Sequence, residues 1–253
     1  MIEVDNISKT FGDTQILFDI SATFMEGKVN HIIGGSGQGK SVLTKCIVGL
    51  HEVDKGRILY DGRDFSAMDR RQRIEIRKEI GMLFQGSALF DSLTVEENVM
   101  FPLKMFTDMS KEEMLDRANF CLKRVDIIDK NYLFPAECSG GMQKRIAIAR
   151  AIAMNPKYLF CDEPNSGLDP KTSIVIDNLI SEITYEYNIT TVVITHDMNS
   201  VMEAADNIIF IYGGKKWWEG DRDGIIKTDN QEVIDFVYAS KFMKNLREKL
   251  INS

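Results

Sequence analysis

The sequence predicts an α/β domain built around a parallel sheet, with a β-rich beginning and a helical segment inserted in the core. Three observations lead there. Apolar runs at 158–162 and 191–195 flank a helical pattern at 171–187, and strands alternating with helices are joined in parallel. The apolar run 29–33 passes through a glycine-rich turn into a helix over 40–49. The texture is helical from Val95 to about Met154, between a β-rich first 85 residues and an alternating last part.

Each element has its own signal. Strand-like runs fall at 2–4, 22–24, 29–33 and 57–60, the last ending in the turn pair Asp61-Gly62. In the helical part, Ser110-Lys111-Glu112-Glu113 resembles a capping box, Met and Leu follow at helical spacing, and Asn155-Pro156 marks a stop. Strands resume at 158–161, 191–195 and 207–212, and the last turns at Gly213-Gly214 into 215–219 as a hairpin. From 231 to 252, Val233, Phe236, Val237, Met243, Leu246 and Leu250 stand mostly at helical spacing among Lys and Glu. That face packs on the chain's own body or crosses to a second subunit, and partial dimer contact is the expectation.

Composition narrows the function. The 253 residues carry 31 Lys+Arg against 38 Asp+Glu, a net charge of −7, with 44% hydrophobic and 27% charged residues. These proportions suit a packed globular core, and the acidic balance lacks the field that nucleic-acid binding needs, so no nucleic acid is expected as a partner. The beginning, MIEVDNISK, has no apolar signal region, and no apolar run approaches the roughly 20 residues of a membrane helix, so the chain is not expected to cross a membrane itself. Cys46, Cys121, Cys138 and Cys161 form no CxxC pair, which points to reduced thiols rather than a metal site or a disulfide framework. The basic run Arg70, Arg71, Arg73, Arg77 and Lys78 is interleaved with Asp69, Glu75 and Glu79 and reads as a solvated helix face.

Chemistry concentrates in a few places. Gly34-Gly35-Ser36-Gly37-Gln38-Gly39-Lys40-Ser41, followed by Val42, is a full match to G-x-x-x-x-G-K-[ST]. Its glycines let backbone N–H groups curl around phosphate oxygens, Lys40 reaches the β- and γ-phosphates, and the Ser41 hydroxyl can ligate Mg²⁺. The apolar strand 158–161 ends in Asp162 and Glu163. Asp162 is placed to hold Mg²⁺ through water, and Glu163 to polarise an attacking water.

The class is carried by Cys138-Ser139-Gly140-Gly141-Met142-Gln143, 23 residues from Ser139 to Asp162, followed by Lys144-Arg145-Ile146-Ala147-Ile148-Ala149-Arg150-Ala151. This stretch is similar to the LSGGQ signature of ATP-binding-cassette (ABC) ATPases. Cys138 replaces the Leu, and Met142 displaces the Gln by one position. Other marks of the family follow in order: Phe11 resembles the aromatic that stacks on adenine, Gln85 the Q-loop glutamine that senses Mg²⁺ and the γ-phosphate, Ser166-Gly167-Leu168-Asp169 the D-loop, and His196 the switch histidine at the γ-phosphate.

The resemblance runs from about 2 to 225 and implies a P-loop NTPase of RecA-like parallel core, antiparallel β subdomain and inserted helical subdomain, an ABC nucleotide-binding domain. It places that domain at 1–225, the helical subdomain at about 92–155 and a C-terminal helical extension at 226–253. It implies ATP and Mg²⁺ as ligands and a homodimer, each ATP held between the P-loop of one subunit and Ser139, Gly140 and Gly141 of the other. The segment 82–99 and the Ser-Gly-Gly-Met of the signature look like Mla-type ATPases, the subunits of bacterial phospholipid transporters. Such a subunit would work with an integral-membrane permease and an MCE-domain protein, lie peripherally at the cytoplasmic face of the bacterial inner membrane, and leave the lipid to its partners. Phe84, Leu89, Phe90 and Leu93 are then either available to the permease or part of the helical core. Two alternatives stand beside this: the ATPase of an amino-acid importer, and a soluble ATPase of an assembly system of the iron–sulfur scaffold type.

Overall fold

The computed structural model describes residues 1–239 and 241–251, the side chains at 241, 242, 246, 250 and 251 excepted. The chain opens with β1 (Ile2–Phe11), β2 (Thr14–Phe24), β3 (Val29–Ile33), α1 (Lys40–Ile47), β4 (Lys55–Tyr60), β5 (Arg63–Asp64), α2 (Arg70–Lys78) and β6 (Ile80–Leu83). There follow α3 (Val95–Phe106), α4 (Lys111–Arg124), a 3₁₀ turn (Pro135–Glu137) and α5 (Gly140–Ile152). The last part comprises β7 (Tyr158–Asp162), α6 (Pro170–Glu186), β8 (Thr190–Ile194), α7 (Met198–Ala204), β9 (Asn207–Tyr212), β10 (Lys215–Gly220), α8 (Arg222–Lys227), α9 (Gln231–Val237) and α10 (Lys241–Ile251).

The strands form two sheets. One has the order β2-β1-β4-β5 and is antiparallel; the other has the order β10-β9-β3-β8-β7-β6 and is parallel except for β10. Strands β3 and β8 are buried at every residue, as central parallel strands covered on both faces must be. One apolar layer joins the sheet to α3, α4, α5 and α6, and a second joins it to α1 and the antiparallel sheet. Because the strands run in parallel, the loops leaving β3, β7 and β8 emerge at the same edge. In an α/β sheet that edge is where ligands bind.

Local signals explain most boundaries. Ser110 and Glu113 close the reciprocal capping box that starts α4, as the sequence predicts, and equivalent boxes at Asp69 and Thr94 start α2 and α3. Asn155, in the left-handed conformation (φ 50°), precedes Pro156 and ends the helical part. The first two strands are much longer than the runs at 2–4 and 22–24. Register shifts interrupt their pairing, and Asn6 (φ 49°) and Asp19 (φ 47°) take left-handed backbone within it, so the two-residue alternation that marks a strand is broken.

The single pattern read over 231–252 is divided in the structure. It is two helices, and the apolar residues Val233, Val237 and Phe236 are used on the chain's own body: the first two are buried and the Phe236 ring lies 5.4 Å from that of Phe210 on β9. Arg247 ties α10 to the carbonyls of Ile226 and Thr228. Met243 also packs on this layer, while the side chains of Leu246 and Leu250, and Asn252 itself, lie outside the described residues. Among the described residues no helix is long and apolar enough to cross a membrane. All four cysteines are free and buried, and burial pushes the thiols of Cys46 and Cys121 up to about 11.

Candidate nucleotide-binding site

The loop after β3 is shaped by its glycines. Gly34 (φ 147°) lies so close to β9 that a Cβ there would be 2.3 Å from the carbonyl oxygen of Ile211, and Gly39 (φ 100°) is the left-handed cap of α1. Lys40 Nζ turns back and donates to the carbonyls of Gly34 (2.7 Å) and Gly35 (2.9 Å). Gln38 Oε1 accepts from the N–H of Gly213, in the turn of the β9–β10 hairpin, and Gly214 accepts from Phe18 N–H on β2 (2.9 Å). Ser36, Gly37 and Ser41 are exposed, whereas Gly35, Gln38, Gly39, Lys40 and Val42 are partly covered.

Strand β7, two positions from β3 across β8, delivers the carboxylates. Burial pushes Asp162 up, helped by the charge of Glu163, while Lys45, Lys40 and Lys144 act against them. Burial also holds Lys40 below its ordinary value, opposed by the charges of Glu163 and Asp162, so the lysine and the two carboxylates share one electrostatic neighbourhood. Glu163 takes left-handed backbone (φ 47°), an expensive conformation for a residue with a Cβ, fixed by its N–H donating to Ile194 (2.8 Å). Its Oε1 lies 2.8 Å from Nδ1 of His196, and its Oε2 lies 3.4 Å from the Thr195 hydroxyl at the end of β8. The imidazole itself is 71% exposed, free to meet a ligand from the open side.

Gln85, in the loop after β6, has an exposed side chain, and its surroundings are fixed from α5. Lys144 donates to the carbonyl of Gln85, and Arg150 to those of Ser87 (2.8 Å) and Ala88 (2.7 Å), two residues in left-handed backbone. The basic residues of this helix were legible only as part of the signature stretch, not as the holders of the Gln85 loop. Leu89 and Leu93 are partly buried and Phe84 and Phe90 exposed, so the four apolar residues divide between the two readings.

Ser139 caps α5 by accepting from Met142 N–H (3.3 Å), and Asp169 caps α6 by accepting from Thr172 N–H (3.1 Å). Ser139, Gly140, Gly141 and Asp169 line one groove, none of whose walls comes from the P-loop. Two regions thus result: Gly34 to Ser41 with Asp162, Glu163 and His196, and apart from them the signature with the D-loop. Phe11, 42% exposed at the tip of the β1–β2 hairpin, meets the ring of His51 edge-on at 5.1 Å. His51 carries no motif and the sequence offers no reason to select it.

The ligands that the sequence selects for Mg²⁺ all offer an oxygen: the Ser41 hydroxyl, the Gln85 amide and the Asp162 carboxylate. A hard cation held by a few protein oxygens, with phosphate and water completing the shell, fits such a set. Among the described residues no three His, Cys, Asp or Glu side chains gather into a protein-only cage.

Comparison with known proteins gives the family. The ABC transporter family model matches residues 17–166. The methionine import ATP-binding protein MetN of Clostridium tetani is 40% identical over 245 residues, covering 97% of this chain and 77% of the relative. The probable ribonucleotide transport ATP-binding protein mkl of Mycobacterium tuberculosis (strain ATCC 25618 / H37Rv) is 35% identical over 236 residues, covering 93% of this chain and 66% of the relative. Among solved structures, the ATP-binding cassette MJ0796, a dimer in a post-hydrolysis state bound to ADP and Pi, aligns with a TM-score of 0.79 at 33% identity, covering 88% of this chain and 99% of that one. The chain belongs to the ABC transporter family, as an ATPase that takes ATP with Mg²⁺.

Proposed function

We propose that this chain is the ATP-hydrolysing subunit of an ABC importer, working as a homodimer beneath an integral-membrane permease. The observation that carries the reading is the convergence of Lys40, Asp162, Glu163 and His196 at one edge of the parallel sheet. In the proposed closed dimer Gly34 to Val42 cradle the phosphates, Phe11 stacks on adenine, and Ser139, Gly140 and Gly141 of the other subunit grip the γ-phosphate, with Asp169 at the subunit boundary. Ser41, Gln85 and Asp162 would hold Mg²⁺, which when bound neutralises charge on the β- and γ-phosphates. Glu163 accepts a proton from the attacking water, and Lys40 and His196 stabilise charge developing on the transferred phosphoryl group. Residues 1–225 form the ATPase domain in this reading, with the helical subdomain at about 92–155 and the remainder, 226–253, as an extension.

For the cargo, an amino acid of the methionine class is supported by the MetN relatives, and with it the importer alternative drawn from the sequence. Phospholipid cargo and an MCE partner rest on the segment 82–99 and the Ser-Gly-Gly-Met stretch alone, and neither relative named above carries lipid in its name. Peripheral attachment at the cytoplasmic face of a bacterial inner membrane follows from the permease in either case. Purification of the complex in mild detergent, with mass spectrometry of bound proteins and small molecules, separates the two cargoes.

The ATPase roles are tested by Glu163→Gln. ATP binding is expected to persist, phosphate release to fall by about 100-fold or more, and an ATP-dependent dimer to accumulate on size exclusion. Turnover at the parental rate would refute the role of Glu163.

A further inference from the structure

Two loops that carry site residues meet at one buried carboxylate that no motif includes. Asp177, in α6, is 7% exposed. Nδ2 of Asn165 donates to both its oxygens at 2.9 Å, and Oγ of Ser200 donates to Oδ1 at 2.8 Å. Asn165 is 9% exposed and belongs to the turn between Glu163 and Asp169; Ser200 is 1% exposed and lies in α7, just beyond His196.

These segments are already joined once, on the solvent side, where Glu163 meets His196 and Thr195. The Asp177 carboxylate joins them a second time, from behind. The turn itself is closed by Ser166 N–H to Glu163 (3.1 Å) and Leu168 N–H to Asn165 (3.1 Å), so displacement of Asn165 moves the backbone that presents Glu163. On the other side Asp197 N–H donates to Thr195 Oγ1 (3.0 Å) and its carboxylate caps α7, so a shift of Ser200 moves the segment that presents His196.

A carboxylate is an expensive way to fill this position. Burial pushes Asp177 up, the charges of Asp197 and Glu203 push it further, and the hydrogen bonds from Ser200 and Asn165 work against both. An aliphatic side chain would fill the space without that cost. What it would lack is a planar acceptor that receives donors from two directions at fixed distance.

We propose that Asp177 is a positioning residue for ATP hydrolysis, which sets the spacing of the Glu163 and His196 loops by binding Asn165 and Ser200 to one carboxylate. The proposal rests on the roles given above to Glu163 and His196. It also joins the D-loop turn ending at Asp169 to the helix behind His196, so the subunit boundary and the γ-phosphate contact share a common support.

The test is steady-state ATP hydrolysis by the full chain with Ser200→Ala, Asn165→Ala, the double variant, Asp177→Ala and Asp177→Asn, with thermal unfolding of each. A misplacement on the ångström scale lowers turnover steeply while leaving phosphate binding nearly intact. Ser200→Ala is expected to lower kcat about 10-fold with KM for ATP within about 3-fold, and the double variant to fall no further than the worse single one. Asp177→Asn, which keeps the shape and one acceptor oxygen, is expected to retain more kcat than Asp177→Ala. If Asp177→Ala fails to fold, Ser200→Ala decides, since it removes a single hydroxyl. Parental kcat in Ser200→Ala, losses that multiply in the double variant, or a rise in KM at constant kcat would each overturn the proposal. Glu163→Gln in parallel separates the failures: if it is inactive while Ser200→Ala is parental, only the role of Asp177 is lost, and if it turns over normally the reading beneath is wrong.

Discussion

Acid should weaken this protein through one side chain of its central strand. His31 lies in β3, 1% exposed, aligned with Val193 and Ile208 on its two neighbours, and neither ring nitrogen has a hydrogen-bond partner of ordinary geometry. Burial lowers its pKa from 6.5 to about 4, against the opposing pull of the Val29 backbone and Asp206. The unfolded ring takes up a proton first, so this contribution to stability is whole above pH 6.5 and declines as pH falls toward about 4, where the native ring is protonated as well. That interval corresponds to about 3 kcal/mol at roughly 1.36 kcal/mol per pH unit, a large share of the 5–15 kcal/mol typical of a domain. His31→Leu removes the proton site and leaves no unpaired polar atom at the position. Urea unfolding of both proteins between pH 7.5 and 4.5 should show the parent losing about 2–3 kcal/mol more than the variant, because carboxylate titration is common to both and cancels in the difference. Parallel stability curves would refute the buried neutral imidazole.

Gly34→Ala combines a left-handed backbone with a Cβ 2.3 Å from the Ile211 carbonyl, and since backbone cannot yield as a flexible side chain does, a cost of about 3 kcal/mol or more is expected. Thermal unfolding should show it as a drop of about 6 °C or more, with nucleotide binding lost; a parental melting point would contradict the close packing. Arg63 donates to both oxygens of Glu79 (3.1 and 2.6 Å) and to the Tyr158 hydroxyl (3.1 Å), and that hydrogen-bonded pair holds Glu79 below the ordinary carboxylate range. A double-mutant cycle with Arg63→Met and Glu79→Gln should give a coupling of about 1 kcal/mol at pH 7, discounted for partial exposure. A lowered carboxylate contributes above its unfolded pKa, so the coupling should fade as pH drops through the folded value; a pH-independent coupling would speak against it.

Much of this was readable from residue patterns because the responsible physics is local. The spacing of glycines before Lys40, the apolar runs of the central strands, and the capping box at Ser110 each act within a few residues of chain. The signature and D-loop helix starts are local in the same way. What escaped the sequence depends on distant partners. Asp177 looks like a polar residue on an amphipathic helix until Asn165 and Ser200 are brought around it, and Lys144 and Arg150 look like surface charge until the Gln85 loop folds over them. The bulged hairpin of β1 and β2 hid its length by breaking its own alternation, and the division between α9 and α10 left no proline or glycine to mark it.

The bracing of the P-loop has a thermodynamic consequence. The loop is held against the β9–β10 hairpin through Gly34 and Gln38, and its lysine is folded back onto the Gly34 and Gly35 carbonyls. Its conformational entropy is therefore lost when the domain folds rather than when phosphate arrives. In the role proposed for Lys40, the arrival would exchange two carbonyl acceptors for phosphate oxygens, so little ordering would oppose binding at that residue. By mass action, a nucleotide that favours this arrangement also favours the intact hairpin, and the turn at Gly213, which lies outside every motif of the site, shares in the stability that nucleotide confers.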